Sequence, residues 1–325
     1  MMDLFDNLKA KIKGLKRTVV FPEGEEPRIY AAASRLAQQD LVKPVLLGKV
    51  ATIQEKAAKD DVDLAHVEII DPDMYPENDK QAMVEALVAR RKGKNSVEEV
   101  QKMLTDVNYF GTMLVYLHKA DAMVSGAVHA TGDTVRPALQ IIKTKPGVKR
   151  ISGAFVMQRN HERYIFADTA INIDPDAATL AEVAVESAHT AEIFDIDPKI
   201  AMLSFSTKGS AKGDMVTKVQ EATKLAQEKA PELEIDGELQ FDAAFVPDVG
   251  ASKAPGSKVA GHATVFVFPE LQSGNIGYKI AQRLGHFEAI GPILQGLNAP
   301  VSDLSRGASE EDVYKVAIMT AAQVR

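Results

Sequence analysis

Thr18-Val19-Val20-Phe21-Pro22, Arg28 to Gln38 and Pro44-Val45-Leu46-Leu47-Gly48 follow one another near the start of the chain, and their reading decides the fold. The first is a short β-branched run closed by proline, which reads as a buried strand. The second carries Ile29, Ala32, Ala33 and Leu36 at helical spacing. The third is apolar and stops at glycine, a second strand. Val67-Glu68-Ile69-Ile70-Asp71 adds a third. Strands alternating with helices predict a parallel sheet with helices on both faces. An amphipathic start, with Leu4, Leu8 and Ile12 on one face, precedes the series.

Two or three helices are expected from Lys80 to Leu117, with turn signals at Lys92-Gly93-Lys94-Asn95 and a cap at Ser96. Ala122-Met123-Val124-Ser125-Gly126 is a further buried strand. It runs into Ala127 to Pro137, which reads as a polar loop holding Thr131 and Arg136. Open α/β sheets place ligands at such strand ends. Arg136 directly precedes Pro137, which disfavours a mid-helix position for it. Pro146-Gly147 marks a boundary. Beyond it the alternation resumes. Strands are expected at Ile151 to Val156, Tyr164 to Ala167, Ile200 to Phe205, Ala243 to Val246 and Thr264 to Phe268. Helices are expected from Ala177 to Ile193 and from Met215 to Lys229. The fold class is α/β: two α/β domains with mostly parallel sheets and a cleft between them.

The 325 residues suffice for two domains with sizeable cores. An apolar fraction of 46%, a charged fraction of 26% and a net charge of −7 describe a soluble globular chain. That charge argues against nucleic-acid or anionic-membrane partners. The absence of cysteine excludes disulfides, thiolate metal ligands and a cysteine nucleophile, and fits a reducing compartment. The start, Met1-Met2-Asp3-Leu4-Phe5-Asp6, shows no signal peptide, and no apolar run approaches spanning length. A cytoplasmic location is expected. No two glycines are separated by one residue, so the dinucleotide fingerprint is absent. Gly256 and Gly261 have P-loop spacing, but His262 follows where lysine is required. No H-E-x-x-H occurs, lone histidines such as His118 on a helical face suggest no ligand set, and no metal is expected.

Three loops could hold an anion. Ser204 to Asp214 joins a strand to a helix and is rich in hydroxyls, lysines and glycines, a composition that offers backbone N–H groups to phosphate. Ala254 to Ala263, with Ser257 and next to Lys253, is small and basic. Phe268 to Lys279 carries Asn275, whose plainer reading is a cap-region residue. Arg91 ends a helix, where the dipole alone favours a cation. The richest stretch is Pro300-Val301-Ser302-Asp303-Leu304-Ser305-Arg306-Gly307-Ala308-Ser309-Glu310-Glu311-Asp312. Ser305 and Arg306 put a neutral donor beside a planar cation that can grip phosphate through two parallel bonds. Ser309 and Asp312 have the spacing of a capping box, which accounts for Asp312 structurally but not for the Ser305–Arg306 pair.

Together these segments resemble the phosphate acetyltransferase (phosphotransacetylase) family. The carriers are Val20 to Gly24, Asp121 to Gly126, Asp133 to Gln140, Ala254 to Ala263, Phe268 to Tyr278 and Pro300 to Gly307. The resemblance implies interconversion of acetyl-CoA and phosphate with acetyl phosphate and CoA, CoA being a substrate and no cofactor being needed. It implies a homodimer and a fold similar to the isocitrate and isopropylmalate dehydrogenases. It also returns the last segment to the first domain, giving 1–146 plus 300–325 and 147–299. Carried over by motif, Ser305, Arg306 and Asp312 are the catalytic set. Arg91 and Arg136 are substrate-site arginines, Arg90 being the neighbour that could replace Arg91. Ser125, Thr131, Ser204, Lys253, Ser257 and Asn275 are the further substrate-binding candidates. A butyryl preference, a dehydrogenase and a non-catalytic acyl-CoA sensor are the rival readings.

Overall fold

A computed structural model describes residues 4–324. Residues 1–3, where the acidic start begins, and the side chain of Leu4 lie outside that description. The chain begins with α1 (Leu4–Ile12), β1 (Thr18–Phe21), α2 (Pro27–Gln38), β2 (Lys43–Leu47), α3 (Val50–Lys59) and β3 (Glu68–Ile70). A 3-10 turn, Pro72–Met74, leads to α4 (Glu77–Arg91), α5 (Val97–Met103), α6 (Val107–Tyr116), β4 (Ala122–Ser125) and α7 (Thr131–Ile141). Next come β5 (Ser152–Arg159), β6 (Glu162–Ala167), α8 (Ala177–Ile193), β7 (Lys199–Leu203), α9 (Asp214–Lys229) and β8 (Glu234–Leu239). Then follow α10 (Phe241–Phe245), α11 (Pro247–Lys253), β9 (Val265–Val267), α12 (Leu271–Arg283), β10 (Glu288–Gln295), β11 (Val301–Asp303) and α13 (Glu310–Ala322). Two compact units result. Residues 144–296 form a central unit, and the flanking residues 4–143 and 297–324 form a terminal unit.

In the terminal unit the strand order is β3-β2-β1-β4-β11, and every pairing is parallel. The four-residue β1 has Val19, Val20 and Phe21 fully buried because helices cover both faces of such a sheet. On α2, Ile29, Ala32, Ala33 and Leu36 are fully buried, as their spacing requires. Ser96 starts α5 with a capping box that Glu99 completes.

The stretch before Pro137 is helix rather than loop. Residues 131–141 form α7, with Arg136 and Pro137 inside it. The buried face explains this: Thr134, Pro137, Ala138 and Ile141 recur at helical spacing. An interior proline costs about 3 kcal/mol, and burying a Val or Ile side chain returns roughly 1.5–3 kcal/mol each. Tertiary burial therefore overrides the local preference. His118 also departs from expectation: it sits in a left-handed turn after α6, at φ 57°, not on a helical face.

In the central unit β10, β5 and β6 pair antiparallel, and β6, β9, β7 and β8 continue parallel. The sheet is thus mixed. Ala243 to Val246 is not a strand; Ala243 and Ala244 lie in α10, whose amides reach back four residues, as from Ala244 to the carbonyl of Gln240. A short apolar run cannot separate strand from buried helix by period alone. Three strands escape the sequence pattern: β8, β10 and, in the terminal unit, β11. The acids and Gly237 of β8 hide it, and Gly291-Pro292 interrupts β10 at a register shift.

Candidate active site

The carboxyl ends of β4 and β11 lie side by side, with Asp303 in register with Ser125. Immediately beyond, the Leu304 amide donates to the Ser125 carbonyl at 2.7 Å. Ser305 and Arg306 follow on an exposed turn. That turn is held locally by the Ala308 amide on the Ser305 carbonyl (2.9 Å) and the Gly307 amide on Ser305 Oγ (3.3 Å). α13 then starts at once. Asp312 Oδ2 accepts from the amide and hydroxyl of Ser309, both at 2.8 Å, and the Asp312 amide donates back to Ser309 Oγ at 3.2 Å. The reciprocal cap is complete, and Asp312 is also exposed.

Next to this turn lies another, residues 126–129, built around a carboxylate. Glu23, two residues past the end of β1, accepts from the amides of Gly126, Ala127, Val128 and His129 at 2.8–3.0 Å. His129 Nδ1 lies 2.7 Å from the same group. Gly126 is required here: at φ 111° it also passes so close to β11 that a Cβ would sit 2.5 Å from Asp303 Oδ1. Burial pushes the Asp303 carboxyl above the ordinary carboxylate range, and the Glu23 charge adds to this; the Thr131 and Thr134 hydroxyls oppose it. Ser125 is fully buried, and its hydroxyl donates to Asn108 Oδ1 at 2.7 Å. It therefore organises the strand end and is closed to ligand. Thr131, at the first position of α7, is exposed.

The arginines separate clearly. Arg90 is spent on the carbonyls of Ile141 (2.6 Å) and Ile142 (3.0 Å) at the end of α7. Arg91 Nε donates to Asn95 at 2.8 Å. Burial raises the Tyr109 phenol above its usual value, while the charges of Arg136 and Arg91 act on it in the opposite direction. Both guanidiniums thus lie within electrostatic reach of one ring, whose hydroxyl donates to Gln140 at 2.9 Å. Tyr109, Gln140 and Glu23 were not singled out for roles in the sequence. Glu23 carried a signal there: Pro22-Glu23-Gly24 ends a buried strand, the position where an acid has least reason to be.

In the central unit, Ser204, Lys253 and Ser257 gather around β8. The Ser204–Asp214 loop is not an open cradle of amides. The Gly209 amide donates to Glu238 Oε1 at 2.7 Å, and the amides of residues 206, 207, 208, 210 and 211 are likewise bonded within the protein. Its Lys208 ammonium pairs with Asp236. The anion that the Gly209 amide and the Ser206 hydroxyl meet is the buried Glu238 carboxylate. Lys253 pairs with Asp242 at 2.8 Å. The Ser257 hydroxyl donates to Asp236 of β8 and accepts from the amides of Val259 and Ala260, so its capacity is used within the protein. Asn275 lies inside α12, not at its cap, which Glu270 provides; its Nδ2 donates to the Thr169 carbonyl at 3.2 Å. Among the described residues no group of His, Asp and Glu could hold a metal ion.

Comparison with known proteins gives one consistent picture. Residues 3–321 match the family model described as "Phosphate acetyl/butaryl transferase". A phosphate acetyltransferase of Bacillus subtilis (strain 168) is 59% identical over 323 residues, covering 99% of each chain. The crystal structure of a phosphotransacetylase from Streptococcus pyogenes superposes with a TM-score of 0.96 at 60% identity, covering 99% of this chain and 98% of that one. A Salmonella typhimurium structure provisionally assigned as a 4-hydroxythreonine-4-phosphate dehydrogenase shares the fold alone. It is 15% identical, with a TM-score of 0.56 over 95% of this chain and 100% of that one.

Proposed function

The chain belongs to the phosphate acetyl/butaryl transferase family, and from that premise we propose how it works as an enzyme. It transfers an acetyl group between CoA and inorganic phosphate. The CoA sulfur attacks the carbonyl carbon of acetyl phosphate in a ternary complex. A C–S bond forms, the C–O bond to phosphate breaks, and phosphate leaves with the electron pair while the thiol proton passes to a base. Arg306 holds the phosphate and neutralises its charge as it departs. Ser305 donates to the carbonyl oxygen as it becomes an oxyanion. Arg136 and Arg91 supply positive charge to substrate phosphates, and Thr131 is a further substrate contact. Asp312 accepts the thiol proton.

These roles differ in weight. A thiol of pKa ~8.5 is already a few per cent ionised at neutral pH, so deprotonation costs about 2 kcal/mol. Losing an oxyanion donor costs roughly 3–4 kcal/mol. The Ser305–Arg306 pair therefore carries more of the rate than Asp312, which the capping box already employs. The observation that carries this reading is the exposed Ser305–Arg306 turn at the adjacent carboxyl ends of β4 and β11.

On the central unit, Lys253, which is exposed, and Asn275, which is half-buried, are the CoA-contact candidates. Ser204 and Ser257 shape their loops. We also propose a cytoplasmic homodimer. Ile276, Ile280 and Leu284 form a stripe along and just beyond α12 and are 55%, 53% and 78% exposed, a face suited to a second copy. A coupled assay of thioester formation with acetyl, propionyl and butyryl phosphates, without nicotinamide cofactor, tests the reaction. Acetyl phosphate should turn over fastest; binding without turnover would instead support an acyl-CoA sensor.

A further inference from the structure

Arg28 is the second residue of α2, and its guanidinium makes four hydrogen bonds. Nε donates to Glu26 at 2.6 Å, Nη1 to the carbonyls of Arg306 (3.0 Å) and Ala308 (2.6 Å), and Nη2 to the carbonyl of Ala127 (3.1 Å). Two of these carbonyls flank Gly307. The third belongs to the turn whose amides encircle Glu23. We propose that Arg28 is a positioning residue for acyl transfer: it fixes the Ser305–Ala308 turn to the 126–129 turn and so aims Ser305 Oγ and the Arg306 guanidinium. The proposal rests on the assignment of chemistry to that pair.

The physical case is one of constraint. Glu23 fixes the amides of 126–129, so this turn is a rigid reference. The turn after β11 has no such anchor of its own. Residues 305–307 are exposed, Gly307 adds backbone freedom, and their other bonds are local. The planar fork of Arg28 spans three carbonyls at once, which a lysine ammonium on a flexible stem cannot reproduce. Arg35 is the natural contrast. It lies seven residues further along α2 and also meets the C-terminal segment, pairing with Glu310 and Glu311 and lying 3.7 Å over the Tyr314 ring. It holds the helix α13, not the turn carbonyls.

The test compares Arg28→Ala, Arg28→Lys, Arg35→Ala and Arg306→Ala in kcat, in KM for acetyl phosphate and CoA, and in Tm. A misplacement of an ångström in reacting groups costs on the order of 100-fold. Arg28→Ala and Arg28→Lys should therefore lose about 10–100-fold in kcat with KM changed little. Millimolar guanidinium ion should restore part of the Arg28→Ala kcat. Arg35→Ala should lower Tm and keep kcat. Should Arg28→Ala not fold, Arg28→Lys carries the same comparison. Wild-type kcat in a folded Arg28 variant overturns the proposal, as does a loss confined to KM, which would make Arg28 a substrate contact. If Arg306→Ala retains full activity, the assignment of the reaction site itself fails, and that outcome is distinct because it does not depend on Arg28.

Discussion

The Leu304 amide donates to the Ser125 carbonyl at 2.7 Å, one residue before Ser305. This bond extends the β4–β11 pairing one residue past the end of β11, onto Ser125, the last residue of β4. It therefore sets where the chain leaves the sheet and where the Ser305–Arg306 turn begins. The turn is thus bounded by the ladder on one side and the Ser309–Asp312 cap on the other.

Removing the guanidinium should harm turnover at least as much as removing the carboxylate. Arg306→Ala and Ser305→Ala are each expected to lower kcat by about 100-fold or more, by the size of lost oxyanion-type stabilisation. Asp312→Asn should be milder in kcat while costing about 0.5–2 kcal/mol of stability through the weakened cap. Steady-state kinetics and denaturant melts decide the order. Abolished turnover in Asp312→Asn beside a mild Arg306→Ala would reverse the ranking, and loss of an acid limb in the Asp312→Asn pH profile would mark it as the base.

Asp303 should make stability depend on pH in a predictable sense. Burial raises its folded pKa above the unfolded value. Its contribution is then fully present below the unfolded pKa and is lost as pH rises through the folded one. Asp303→Asn, which cannot ionise, should be more stable than the parent at neutral pH, with the gap closing as pH falls. Melting curves of both proteins across pH measure this, and a gap independent of pH would contradict it.

Glu238 is the opposite case. Burial alone would raise its pKa, but hydrogen bonds from Gly209, Ser206 and Gln220 outweigh that and hold it below the ordinary range. Its stabilisation is present above the unfolded pKa and lost as pH falls through the folded one. Glu238→Gln exchanges one acceptor oxygen for a donor and leaves a buried partner unpaired. The expected loss is about 1–3 kcal/mol, with faster amide exchange at Gly209. Unchanged exchange there would show that the loop is held by other means.

The α12 stripe gives a test of assembly. Ile280→Glu places a charge at the centre of the exposed apolar row. Sedimentation should show a dimer for the parent and a smaller species for the variant at equal concentration. A variant dimer of parental strength would move the interface elsewhere.

Much of the architecture was legible from residue pattern. β1, α2, β2 and α8 read directly because each has one period and a clean stop. β8 did not, because its acid Glu238 is buried to hold a loop from outside the strand, a purpose no local pattern encodes. α7 did not, because the packing that tolerates Pro137 comes from α6, α4 and β11, elements remote from it in sequence. At the site, the candidates Ser305, Arg306 and Asp312 could be named from one stretch. The distinction between Arg90 and Arg91 could not, since it depends on which guanidinium the carbonyls of Ile141 and Ile142 engage.

Local periodicity, capping chemistry and composition thus sufficed for the alternation of strand and helix, the lack of an enzyme thiol and the neighbouring pair Ser305–Arg306. These are properties of adjacent residues or of the composition. Which groups hold that pair in place is a matter of long-range contact. Arg28 lies 278 residues before Arg306 and Glu23 lies 103 before Gly126, and both meet their partners because parallel strands bring remote loops to one edge of a sheet.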